Sequence, residues 1–147
     1  MRMASDVPNL IPRAQKYAAA AFGFAERFPF PSNGSHAAKQ FYEASSSATS
    51  NYCAAKRGRS KAEFISKLGT VVEEIDEAVG WLEHMQDVGI VVDAELFSEA
   101  QQLRRIWGAS LGTARRNEKA RQQRLKDARA KRRGEKQPKQ RRYPDPT

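Results

Sequence analysis

With 147 residues the chain is long enough for one domain with a buried core, and its single cysteine, Cys53, excludes an intrachain disulfide. Charge is unevenly placed: residues 1–112 hold 12 basic and 13 acidic side chains, residues 113–147 hold 14 and 4, so the net +9 belongs to the last quarter. The longest apolar run, Tyr17 to Ala25, is too short to span a bilayer and is closed by Glu26-Arg27, which argues against membrane and secretory classes and for a reducing, cytoplasmic setting.

Residues 1–9 read as a flexible lead-in with Asn9 as a helix cap. Leu10, Ala14, Tyr17, Ala18, Ala21, Phe22, Ala25 and Phe28 then recur at three- and four-residue steps, the signature of an amphipathic helix ending near Arg27. Pro12 fits only its first turn, because proline has no N–H to donate. The run Phe28-Pro29-Phe30-Pro31-Ser32-Asn33-Gly34 is a turn on composition.

A second helix follows to about Arg57, capped by Asn33 or Ser35. Phe41 and Tyr52 are the only large members of a stripe otherwise built from Ala and Ser, so this helix is expected to let a neighbouring backbone approach closely. Its Ser/Thr run sits mid-helix, away from the helix N-termini where phosphate is usually held.

Gly58 breaks the pattern, and Ser60 with Glu63 forms a capping box, which sets the start of a third helix at Lys61. Phe64, Leu68, Val71, Val72, Ile75, Val79 and Leu82 share one side of this helix, Glu73 and Glu77 lie opposite, and Gly89 ends it. Trp81 falls about 120° from the centre of the apolar stripe, beside Glu74 and Glu77, and a large aromatic so placed is expected at a subunit interface.

Asp93 caps a fourth helix whose stripe is Leu96, Phe97, Ala100, Leu103, Trp107, Leu111 and Ala114. The stripe stops at Ala114 and the composition turns basic beyond Thr113, while helix-forming residues continue to Arg133, which describes a solvated helical rod. From Gly134 to Thr147 three prolines and the missing stripe predict disorder. With no alternating β pattern anywhere, the reading is an all-α fold: an antiparallel up-down-up-down four-helix bundle over residues 10–114, followed by a basic extension over 115–147.

Catalytic and metal patterns are absent. Neither His36 nor His84 has a Glu three residues before it, as a bundle-held metal pair requires, and no Gly-rich phosphate loop or nucleophile elbow occurs. No enzyme and no cofactor are expected. The extension is the one strong signal. Arg115, Arg116, Lys119, Arg121 and Arg124, continued by Lys126, Arg129, Lys131, Arg132 and Arg133, are candidate phosphate contacts, because guanidinium groups clamp phosphate oxygens in pairs. Arg57 and Arg59, in the loop before the third helix, are second-rank candidates. Only Tyr143 in the extension could stack on a base, so sequence-specific readout is not expected.

The run Ser50-Asn51-Tyr52-Cys53-Ala54-Ala55-Lys56-Arg57-Gly58-Arg59-Ser60-Lys61-Ala62-Glu63-Phe64-Ile65, with Lys67-Leu68-Gly69, Glu73-Glu74 and Trp81-Leu82-Glu83, resembles the bacterial four helix bundle protein family. That family includes proteins encoded in intervening sequences of ribosomal RNA genes and accessory variability determinant proteins of diversity-generating retroelements. The resemblance covers about Arg13 to Arg116. It implies an antiparallel four-helix protomer, a homopentamer and, in the retroelement branch, binding to nucleic acid and to a reverse transcriptase. Many members carry Asn-Ile-Ala-Glu-Gly where this chain has Asn51-Tyr52-Cys53-Ala54-Ala55, and here the positive charge lies in the extension rather than the bundle. The functional expectation is a non-enzymatic, oligomeric bundle that binds RNA or DNA without sequence specificity. The alternative is a protein-interaction scaffold whose extension only aids solubility.

Overall fold

A computed structural model describes residues 9–136, and among these it is entirely helical apart from connections: α1 (Ile11–Ala25), α2 (Ser35–Lys56), α3 (Lys61–Asp87) and α4 (Ala94–Lys136). Each helix packs on the one before it and α4 closes back on α1, while the backbones of the diagonal pairs stay apart and meet only through core side chains. That neighbour pattern, with short connections, is the antiparallel up-down-up-down bundle. Residues 1–8 of the expected lead-in and the last eleven residues, where disorder is expected, lie outside the described residues. Gly134, where irregular chain was expected to begin, is still helical, and α4 runs on to Lys136.

The ends of the helices are set by side chains and glycines. At α1 the N-cap is Leu10, which makes no side-chain cap. Asn9, expected there, stands one residue earlier and its Oδ1 accepts from the Ile11 N–H at 3.1 Å, while Pro12 sits in the first turn as its missing donor requires. Ser60 Oγ accepts from the Glu63 N–H at 3.1 Å, and the Glu63 carboxylate accepts in return from the Arg59 N–H at 3.0 Å. Asp93 Oδ1 accepts from the Leu96 N–H at 3.1 Å. After α3, the Gly89 N–H donates to Gln86 O and the Ile90 N–H to Met85 O, a Schellman motif that places Gly89 at φ +83°. At α2 the expected cap is replaced. Neither Asn33 nor Ser35 caps it; Gly34 stands at the N-cap with φ +83° and no side-chain cap forms. Packing requires glycine at this cap, because a Cβ on Gly34 would come within 2.6 Å of Ile90 Cδ1 and 3.3 Å of Phe28 Cδ1.

Inside, the largest fully buried side chains are Trp107, Tyr17, Phe41, Leu68, Ile75 and Leu82. Each such aliphatic or aromatic group contributes about 1.5–3 kcal/mol by leaving water. Tyr52 and Trp107 meet with tilted rings at 5.2 Å between centroids, and Phe24 meets Phe41 edge-on at 5.9 Å. On α1 the phase of the stripe differs from expectation: Phe22 is half exposed against Tyr42, and Phe24 takes the core position instead. Ala78 and Met85 join the α3 core, whereas Phe64 and Val72 are only partly covered.

The small-residue stripe of α2 is buried, as its composition requires, through Ala37, Ala38, Ala44, Ser45, Ala48 and Thr49. Its polar members are satisfied within the bundle. Ser45 Oγ shares a 2.8 Å hydrogen bond with the Tyr17 hydroxyl, and Thr49 Oγ1 donates to the carbonyls of Ala14 and Ser45. Ser46 Oγ donates to Glu43 O. The Ser/Thr run is therefore structural.

Candidate nucleic-acid interface

The bundle core ends at Leu111, the last buried residue of α4, yet the helix continues for 25 more residues. At the junction Arg115 of α4 lies over Gly69 of α3, and Lys61, the first residue of α3, stands close enough to Glu118 to help lower its carboxyl pKa. The main cause of that lowering is the Arg121 guanidinium, which donates to both Glu118 oxygens at 3.0 and 2.9 Å. From Lys119 to Lys136 every side chain is exposed, a rod of about 27 Å at 1.5 Å per residue.

All ten first-rank candidates fall on α4 beyond Leu111, Arg115 and Arg116 at the root of the rod and eight within it, and Arg116 lies between the two faces the other nine form. On a helical wheel Arg115, Lys119, Lys126, Arg129 and Arg133 form one face with no acidic residue in it. Arg121, Arg124, Lys131 and Arg132 form a second face about 160° away. The two faces are not equivalent, since Arg121 is clasped by Glu118 and Glu135 shares the second face. Lys136, which ends the helix on the flank of the first face, was missed by the sequence reading, as were Lys56 and Lys61.

The antiparallel topology brings the α2–α3 loop to the root of the rod. Lys56, Arg57, Arg59 and Lys61 are all exposed there, at the end of the bundle from which the basic helix emerges. Only the tertiary fold could join Arg57 and Arg59 to Arg115 and Lys119. The opposite end carries Glu26, Asp87, Asp93 and Glu95 against Arg27, so the described residues form a basic pole and a net acidic one.

The candidate interface residues on α3 divide. Trp81 is half-buried, its rings set edge-on to His36 at 5.7 Å and His84 at 5.8 Å, with its indole N–H directed at Glu77 Oε1 at 3.5 Å. Glu77 is exposed. Glu74 instead turns into the α2–α3 seam, where Oε1 accepts from Asn51 Nδ2 at 3.1 Å and Oε2 is buried without a partner.

A cleft of about 670 Å³ runs between α1 and α4, lined by Arg13, Lys16, Tyr17, Phe24, Arg27 and Glu99 among others. Arg13 is committed within it, held by both Glu99 oxygens and Gln102 Oε1, which raises its pKa. No group of His, Cys, Asp and Glu that could hold a metal ion occurs among the described residues, and none of their helices is long and apolar enough to cross a membrane. No protein-family model, curated protein or solved structure matches this chain.

Proposed function

We propose that this protein is a non-enzymatic helical bundle that binds RNA or DNA through the basic rod of α4, without sequence specificity. The observation that carries the reading is the acid-free face of Arg115, Lys119, Lys126, Arg129 and Arg133, continuous along an exposed helix and joined at its root by Arg57 and Arg59. A helix kept only for solubility has no need to separate its charges in this way; alternating signs would serve. A polyanion meets such a face with many phosphates at once and releases counterions from each.

The protein acts as a homo-oligomer, a pentamer if it follows the family that residues 50–65 resemble, with Trp81 and Glu77 at the subunit contact. Several rods held together raise avidity without new contacts. In that setting it is an accessory factor to a reverse transcriptase or a ribosomal RNA element.

The test is a chain ending at Ala114, titrated with labelled RNA and duplex DNA over a salt series. The full chain should bind with a log–log slope near −4.5 if about five phosphates of a duplex are neutralised, and the shortened one should not bind. Retained binding by the shortened chain at moderate salt overturns the proposal. If neither form binds, the exposed acids Glu73, Glu77 and Glu83 on α3 favour the scaffold reading.

A further inference from the structure

The two basic faces of the rod are separated by a third sector whose chemistry differs. Along the rod Ala120, Gln123, Asp127, Ala130 and Gly134 recur at steps of three and four, so they share one side of the exposed helix, between the two basic faces and in line with Arg116 at the root. Three of these five residues have a methyl group or no side chain at all. The other two are polar groups tied to each other along the helix, Gln123 Nε2 donating to Asp127 Oδ1 at 3.0 Å. On the reverse side stand Leu125, half exposed, and Glu118. A slim floor flanked by two basic walls is thus built into a helix that nothing else in the described structure covers.

Each nucleic-acid geometry asks for something different. A single strand needs stacking platforms, and between Trp107 and Lys136 the helix has no aromatic residue. A duplex met from outside presents one ridge of phosphates at a time, for which one basic face suffices. A helix lying within a groove has phosphates on both sides of it and base edges beneath, so it requires two basic walls and a floor thin enough to reach the bases. The B-form major groove, about 12 Å wide, admits a helix of about 10–12 Å diameter. The A-form major groove of RNA is deep and narrow and does not.

We infer that the α4 rod enters the major groove of duplex DNA, with Ala120, Gln123, Asp127, Ala130 and Gly134 toward the base edges and the two basic faces against the opposing phosphate strands. This rests on the proposed nucleic-acid reading and narrows it to B-form DNA. The 27 Å rod spans less than one helical turn of B-DNA, and the bundle end with Arg57 and Arg59 then abuts the backbone where the helix enters. Asp127 stands on the floor, where an acidic side chain can accept from a cytosine amino group but repels phosphate, so its position suits a groove and not a phosphate ridge.

The experiment compares the full chain on four probes of one random sequence at equal salt: duplex DNA, duplex RNA, single-stranded DNA, and duplex DNA whose cytosines carry glucosylated hydroxymethyl groups. The sugar fills the major groove and leaves the phosphates unchanged. Unmodified duplex DNA should bind best, with a loss of about tenfold or more for the glucosylated duplex and for RNA. A second arm uses Ala120→Leu with Ala130→Leu, which preserves charge and helix propensity but thickens the floor, against Leu125→Trp on the reverse side. The floor variant should lose about tenfold on unmodified DNA, and the reverse-side variant should bind as the parent does. Equal binding to all four probes, or a floor variant that binds normally, overturns the groove inference while leaving phosphate binding in place. Failure to bind any probe overturns both.

Discussion

Arg115 of α4 lies across Gly69 of α3, its guanidinium nitrogen 3.6 Å from the point a Cβ on that glycine would occupy. The contact marks the place where α4 leaves the bundle, because Leu111 is the last buried residue before it and Lys119 begins the uninterrupted exposed segment. A Cβ at this distance makes an ordinary van der Waals contact. Gly69→Ala should therefore keep the junction intact and raise stability by about 0.8–1 kcal/mol through helix propensity, measured as a higher urea midpoint.

Gly34 and Gly89 both stand at φ +83°, yet they should respond differently to alanine. Gly89 faces open space, so Gly89→Ala meets only the left-handed backbone penalty, about 1–2 kcal/mol. Gly34→Ala adds a collision with Ile90 and Phe28, and its cost should rise to about 2–4 kcal/mol. Chemical denaturation of the two variants side by side checks the order.

Tyr17 and Tyr52 are both buried phenols with different surroundings. The Tyr17 hydroxyl is bonded to Ser45, whereas the Tyr52 hydroxyl lies beside the Leu10 backbone without a well-formed hydrogen bond. Tyr17→Phe leaves Ser45 without its partner and should cost about 1–2 kcal/mol, while Tyr52→Phe should be close to neutral. Burial pushes both pKa values up from the usual value of 10. Above about pH 10 the unfolded chain releases protons that the folded chain retains, so stability falls as pH rises there. Urea midpoints from pH 8 to 11 should show that fall, reduced in each Phe variant.

Removing the rod should not unfold the bundle. A chain ending at Lys119 keeps the Leu111 anchor and Glu118 near Lys61 and, of the described residues, loses only exposed side chains. Its stability should lie within about 0.5 kcal/mol of the parent, a shift of roughly 2 °C or less in thermal midpoint. Circular dichroism should lose the helical signal of residues 120–136.

Ser60→Ala should cost about 1 kcal/mol by freeing the Glu63 N–H. The same variant tests the loop, because Glu63 in turn holds the Arg59 backbone in place at the root of the rod. A thermal melt reads the first effect, and salt-dependent DNA titration reads the second.

Much of this protein was legible along the chain because helices are local structures. Leu68, Val71, Ile75 and Leu82 announced the buried side of α3 by their spacing. Ser60, Asp93 and Gly89 marked its borders and the start of α4 through hydrogen bonds that reach only three or four residues. The charge change after Thr113 likewise located the exposed rod, since a helix without an apolar side has nothing to pack against. What the order of residues left open was decided by neighbours distant in sequence. Phe24 is buried and Phe22 half exposed because α2 presents Phe41 to one and Tyr42 to the other. Gly34 stands at the cap in place of Asn33 and Ser35, and Ile90, distant in sequence, fills the space a side chain at that position would need. Glu74, which the wheel alone sets beside Trp81, is drawn to Asn51 across the seam. The basic pole itself is a tertiary product: Arg57 and Arg59 lie more than fifty residues before Arg115, and only antiparallel packing of α3 on α4 puts their charges at the foot of the same helix.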